Sequence, residues 1–185
     1  MSTITAARHV VSAPERYGST AVAFHWIVAA LVVFLGALGL LFDEIPREAR
    51  PFWINVHGCV GLVYFALVIV RLAWRSTHRP PELPSDVGQF ERWTSPAAHH
   101  ALYALMLLIP LFGVVAYIWH GRVFDYGLFQ LNFSVGTDRE VFKPAETIHQ
   151  LLAYGLFALA GLHILAALHH HFVRRDGVLS RMLPR

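Results

Sequence analysis

The stretch TIHQLLAYGLFALAGLHILAALHHHFV, residues 147–173, contains no Asp, Glu, Lys or Arg, yet it holds two histidines fourteen residues apart, His149 and His163. A run of this length crosses the roughly 30 Å hydrocarbon core of a bilayer as a helix. Fourteen residues make nearly four helical turns, so both imidazoles leave one face, about 21 Å apart along the axis. An imidazole in hydrocarbon needs a partner, and the neutral ring is a common metal ligand. The stretch predicts a membrane helix with two ligand-bearing levels, one near each face, and room for two stacked cofactors.

The rest of the chain repeats the pattern without the pair. Residues 17–42, 51–70 and 93–121 are equally free of charge. The 185 residues are 56% apolar and only 15% charged, with a positive mean hydropathy, which is unlike an ordinary soluble domain. Backbone amides have to be paired inside lipid, and no segment alternates with the period of a strand. The expected fold is therefore all-α, an integral membrane four-helix bundle. It forms one domain over residues 1–185, with spans at approximately 17–42, 51–74, 96–120 and 147–173. The first span exceeds the apolar core of a signal peptide, and no small-residue cleavage pattern follows at Asp43–Glu44, so it is expected to stay in the mature protein.

Basic residues orient the bundle. Arg8, Arg16, Arg71, Arg75, Arg79, Arg92, Arg174, Arg175, Arg181 and Arg185 fall on one side of the spans; Arg47, Arg50, Arg122, Arg139 and Lys143 fall on the other. The positive-inside rule puts both termini and the loop from Arg71 to Arg92 in the cytoplasm. The pI near 9.4 then reflects short cytoplasmic segments and calls for no nucleic-acid partner. Pro46 and Pro51, then Pro80, Pro81, Pro84 and Pro96, punctuate the first two connections. Residues 121–146, with Gly127, Asn132, Gly136 and Pro144, read as a long irregular outer loop. Trp26, Trp53, Trp74, Trp93 and Trp119 lie toward span ends, where an amphipathic ring anchors at the lipid interface.

Depth sorts the histidines. His25 lies nine residues past Arg16, about 13 Å inward, and His163 eleven before Arg174, about 16 Å inward from the same side. On the outer side His57 follows Arg50 by seven residues and His149 follows Glu146 by three, or about 10 Å and 5 Å. An inner pair, His25 with His163, and an outer pair, His57 with His149, would each ligate one haem iron through two imidazoles. Cys59 is the lone cysteine, which excludes covalent c-type attachment, so any haem is a non-covalent b-type group. Cys59 itself reads as a small packing residue. His99, opening the third span, is the rival inner ligand and suits a contact to a propionate or quinone. Arg71, ending the second span, either pairs with an inner propionate, orients a quinone carbonyl or snorkels to the surface. His100 reads as interfacial, His9 and His78 as solvated, and His120 as an outer-boundary residue. His169, His170 and His171 point in different directions on a helix and cannot converge on one ion. For any one buried histidine the plain alternative is a neutral ring bonded to a neighbouring helix, but four at two matched depths are harder to explain that way.

Phe24-His25-Trp26, Ile54-Asn55-Val56-His57-Gly58-Cys59, Val70-Arg71-Leu72, His99 with Tyr103 and Pro110, Glu146-Thr147-Ile148-His149, Gly161-Leu162-His163 and the tail from Leu179 to Arg185 resemble bacterial cytochrome b-561. The likeness runs through all four spans and departs in the outer loop. It implies a dihaem membrane cytochrome exchanging electrons with the quinone pool, with His25, His57, His149 and His163 at the axial-ligand positions. It also implies an oxidoreductase that oxidises superoxide, or accepts electrons from another periplasmic donor, and reduces ubiquinone. A cytochrome b subunit of a larger dehydrogenase or hydrogenase is a second reading, disfavoured by short loops that leave little docking surface. A haem-free metal transporter would want acidic or sulfur ligands along a pore, and the spans hold no acidic residue.

Overall fold

The computed structural model describes residues 16–78, 81 and 88–184; Arg8, His9, Arg79, Pro80, Pro84 and Arg185 lie outside the described residues. Four long helices dominate it: α1, Ser19–Leu40; α2, Arg50–Thr77; α3, Gln89–Trp119; and α4, Arg139–His169. All four are long and apolar enough to cross a membrane. Pro51 sits in the first turn of α2, where its missing N–H has no intrahelical partner to lose. Glu91 reaches back to the Gly88 N–H at 3.1 Å and so opens α3.

Two boundaries differ from the sequence reading. α3 begins at Gln89 and runs through Pro96, and α4 begins at Arg139 and runs through Pro144. Charge marks where hydrocarbon ends, not where a helix ends, so both helices extend past the apolar run into the polar zone. Asp138 caps α4 by accepting from the Glu140 N–H at 2.9 Å. The last eight residues of the expected irregular outer loop, 139–146, are thus helix, and part of the remainder is a hairpin. β1, Phe124–Asp125, pairs antiparallel with β2, Gln130–Leu131. Two-residue strands are too short to leave an alternating signature in the sequence.

The bundle runs up, down, up, down. α1 packs on α2, α2 on α3 and α3 on α4, and Gly36 of α1 lies against the Phe157 ring of α4 to close the ring of helices. Small residues let membrane helices approach where no hydrophobic force drives them together. The core is Val28, Tyr64, Val68, Met106, Ile109 and Leu156, while Val33, Leu151, Leu162 and Leu165 are 63–70% exposed and present a lipid-facing surface.

Beyond α4 the chain makes a π-helical turn, His170–Arg174, and a 3-10 turn, Leu179–Met182, that folds back beneath α1. The Trp26 indole N–H donates to the Met182 carbonyl at 2.8 Å, and Arg16 donates to the Ser180 carbonyl. Arg174 pairs with Glu91, and His170 with Asp176. Burial pushes the Asp176 carboxyl up, but bonds from His170 and the Val178 N–H, with the Arg174 charge, outweigh it and hold it below the usual range. The C-terminal tail therefore lies at the same end of the bundle as the start of α1.

Candidate cofactor-binding sites

At the end of the bundle away from the tail, α2 and α4 bring His57 and His149 together with ring centroids 6.1 Å apart and planes at 72°. At the tail end α1 and α4 bring His25 and His163 to 6.5 Å and 56°. A metal–imidazole bond is about 2.0 Å, and with about 1.1 Å from nitrogen to ring centre, two imidazoles flanking one metal ion stand roughly 6.3 Å apart. Both pairs match that spacing. Among the described residues no three His, Cys, Asp or Glu side chains converge on one point. Each level thus offers a pair of facing imidazoles, a donor set that would suit a metal already held in a macrocycle.

The His57–His149 level is built for one tautomer. The His149 Nδ1–H donates to the Ile109 carbonyl at 2.7 Å, which leaves its Nε2 lone pair free. A Cβ at Gly113 would stand 2.9 Å from His149 Nδ1, so glycine makes the slot that the ring occupies. The His57 Nδ1 is buried with no protein partner among the described residues. Such an orphan calls for an explanation, and a group absent from the polypeptide is one.

The tail-end level holds three histidines. His99 on α3 lies 5.4 Å from His163, closer than His25 and about 0.9 Å short of the spacing for a shared metal ion. The His99 Nδ1–H bonds the Ser95 carbonyl at 2.6 Å, and Arg71 donates to His25 Nδ1 at 3.3 Å while its guanidinium lies 5.5 Å from the Tyr103 ring centre. Spacing favours His25 as the partner of His163. Beside it a cavity of about 540 Å³ is lined by Arg16, Arg71, Arg75, Phe24, Trp74 and Tyr103 among others.

The remaining histidines fall elsewhere. His78 stacks on Trp74 with centroids 3.6 Å apart, His100 bonds the Pro96 carbonyl, and His120 packs on Phe142 at 4.5 Å. Cys59 is buried and directs its thiol at the Asp125 carbonyl, 3.4 Å away. The hairpin is held to α2 by Asn55. Its Nδ2 donates to the Asp125 carbonyl at 2.7 Å, and its Oδ1 accepts from the Asp125 N–H and the Tyr117 hydroxyl at 3.1 and 3.0 Å. Asn55→Ala removes all three bonds, a cost of about 2–3 kcal/mol at roughly 1 kcal/mol each. A lowered thermal midpoint and faster proteolysis within residues 121–138 are expected; an unchanged midpoint would show that the hairpin does not depend on this clamp.

A family model described as prokaryotic cytochrome b561 matches residues 16–185. The chain belongs to the prokaryotic cytochrome b561 family. Relatives span nearly its whole length. It is 29% identical to cytochrome b561 homolog 2 of Escherichia coli, covering 93% of each chain. It is 26% identical to the probable superoxide oxidase CybB of Yersinia pestis, over 92% of this chain and 97% of that protein. It is 27% identical to cytochrome b562 of Cereibacter sphaeroides, over 91% and 96%. As a member of this family the chain is a multi-pass bacterial inner-membrane cytochrome that binds b-type haem and transfers electrons. The two donor pairs, the orphaned His57 nitrogen and the slot at Gly113 fit such a group.

Proposed function

We propose that this cytochrome carries single electrons across the inner membrane between an outer donor and a quinone, using two b-type haems. His57 and His149 hold the outer haem, and His25 and His163 the inner one. The observation that carries this reading is the pair of imidazole couples at two levels, each near the spacing of two axial ligands. The chain acts as one domain, with both termini in the cytoplasm. Bound haem would supply reversible one-electron chemistry, and His25, His57, His149 and His163 would hold it.

The polypeptide supplies position and charge. Ile109 fixes the His149 tautomer through its carbonyl. His25 can offer its Nε2 lone pair only when Nδ1 carries the proton, so Arg71 then turns its donor from His25 to another acceptor. A haem propionate or a quinone carbonyl meets that need, and His99 stands beside the same level for a second polar contact. The cavity lined by Arg71, Phe24 and Trp74 joins cationic donors to aromatic walls, which suits a quinone headgroup.

The donor chemistry that fits best is superoxide. Arg139, Lys143 and Glu140 line a depression of about 480 Å³ on α4, close in sequence to His149; Lys143 is paired with Glu146 at 2.8 Å, so Arg139 is the cation there that draws a small anion. Two superoxide ions each give up one electron and leave as dioxygen, and the quinone takes those two electrons with two protons to become quinol. Purified protein supplied with superoxide and a short-chain ubiquinone is expected to form one quinol per two superoxide consumed, at a rate that falls steeply with salt. Negligible, salt-independent quinone reduction would exclude superoxide as the donor.

A further inference from the structure

α2 carries three polar residues at successive intervals of seven: His57, Tyr64 and Arg71. Seven residues are close to two helical turns, so all three share a face, about 10 Å apart. α4 repeats the interval with His149, Leu156 and His163, and Leu156 meets Tyr64 in the core. Tyr64 therefore occupies the layer between the two histidine levels. It is 4% exposed, and its hydroxyl is buried without a partner among the described residues. Its core neighbours, Val28, Val68, Met106, Ile109 and Leu156, have apolar side chains and offer the phenol no acceptor there.

A phenol left unbonded in hydrocarbon is costly, and a residue that needed only bulk here would be Phe or Leu. Helical side chains lean toward the N-terminus of their own helix, and α2 starts at the outer end, a lean that favours the His57 side of position 64. Ile109, which holds His149 through its carbonyl, is in the same core cluster. We infer that Tyr64 is a positioning residue for the outer haem, its O–H dipole aimed at the macrocycle and raising that haem's reduction potential. The inference rests on the two-haem reading above. The positive end of the dipole stabilises the state that carries the extra electron, and low local dielectric strengthens the effect. Tyr64 stays a neutral phenol throughout, with no proton or electron leaving it.

The test is potentiometric titration of purified holoprotein, wild type against Tyr64→Phe, followed at the haem absorption bands. The single-haem variant His163→Ala identifies the outer component. Tyr64→Phe keeps the ring and loses only the hydroxyl. The expected result is two haems in both proteins, with the outer haem about tenfold harder to reduce in the variant, a fall of about 59 mV for one electron, and the inner haem unmoved. Should Tyr64→Phe not assemble, Tyr64→Met fills the slot without a hydroxyl and is expected to give the same fall. Two haems with neither potential changed, or with only the inner one changed, would overturn the role given to Tyr64. A wild-type preparation without two haems would instead overturn the reading on which it rests.

Discussion

His163→Ala is expected to halve the haem content of the purified protein, leaving one low-spin b-type haem bound by His57 and His149. Among the described residues its ring lies 6.5 Å from that of His25 and 5.4 Å from that of His99, so the substitution acts at the tail-end level. The outer level, about 21 Å away along α4, stays intact. Its counterpart distinguishes the two candidates for the other axial position. His25→Ala is expected to lose the inner haem, whereas His99→Ala keeps it, because the 5.4 Å separation of His99 from His163 leaves too little room for a shared iron. Two bis-imidazole haems in the His163 variant would sink the assignment, and loss of haem from His99→Ala but not from His25→Ala would transfer the ligand to α3.

The second large effect comes from a residue that bears no functional group. Gly113→Val is expected to remove the outer haem and leave the inner one. A Cβ there stands 2.9 Å from His149 Nδ1 and 3.0 Å from Cε1, so the ring has to leave its slot and give up its bond to Ile109. Forcing such a group into a packed interface costs about 1–3 kcal/mol, but the larger loss is of the axial donor itself. The haem-to-protein ratio and the spectrum of the remaining haem report the outcome. Full haem content in Gly113→Val would show that His149 does not need this position.

The four spans and their alternating direction were legible because charge-free runs of bilayer length allow few other folds. The pairing of His25 with His163 and of His57 with His149 followed from depth, since helical rise converts sequence distance from a charged boundary into ångströms. Depth carries no information about the direction across the bundle. It therefore ranked His99 as too shallow, whereas the structure brings its ring nearer to His163 than that of His25. The Ile109 carbonyl is the same backbone group in every sequence and left no signal at all. Gly113 looked like any small residue in a membrane helix until the ring beside it was in view. The interval His57, Tyr64, Arg71 was readable in principle, because a residue seven from two polar neighbours shares their face. The outer hairpin was misread as irregular: its strands are too short to alternate, and Asn55, seventy residues before its partner Asp125, gives no local hint of the clamp.

Two haems held by four histidines are tested most directly by a haem-to-protein count on the detergent-purified chain, with reduced-minus-oxidised visible spectra and low-temperature electron paramagnetic resonance. Two b-type haems per chain, both low-spin with two imidazole ligands, are the expected result. One haem per chain, or two of which one is high-spin with an open coordination position, would contradict it.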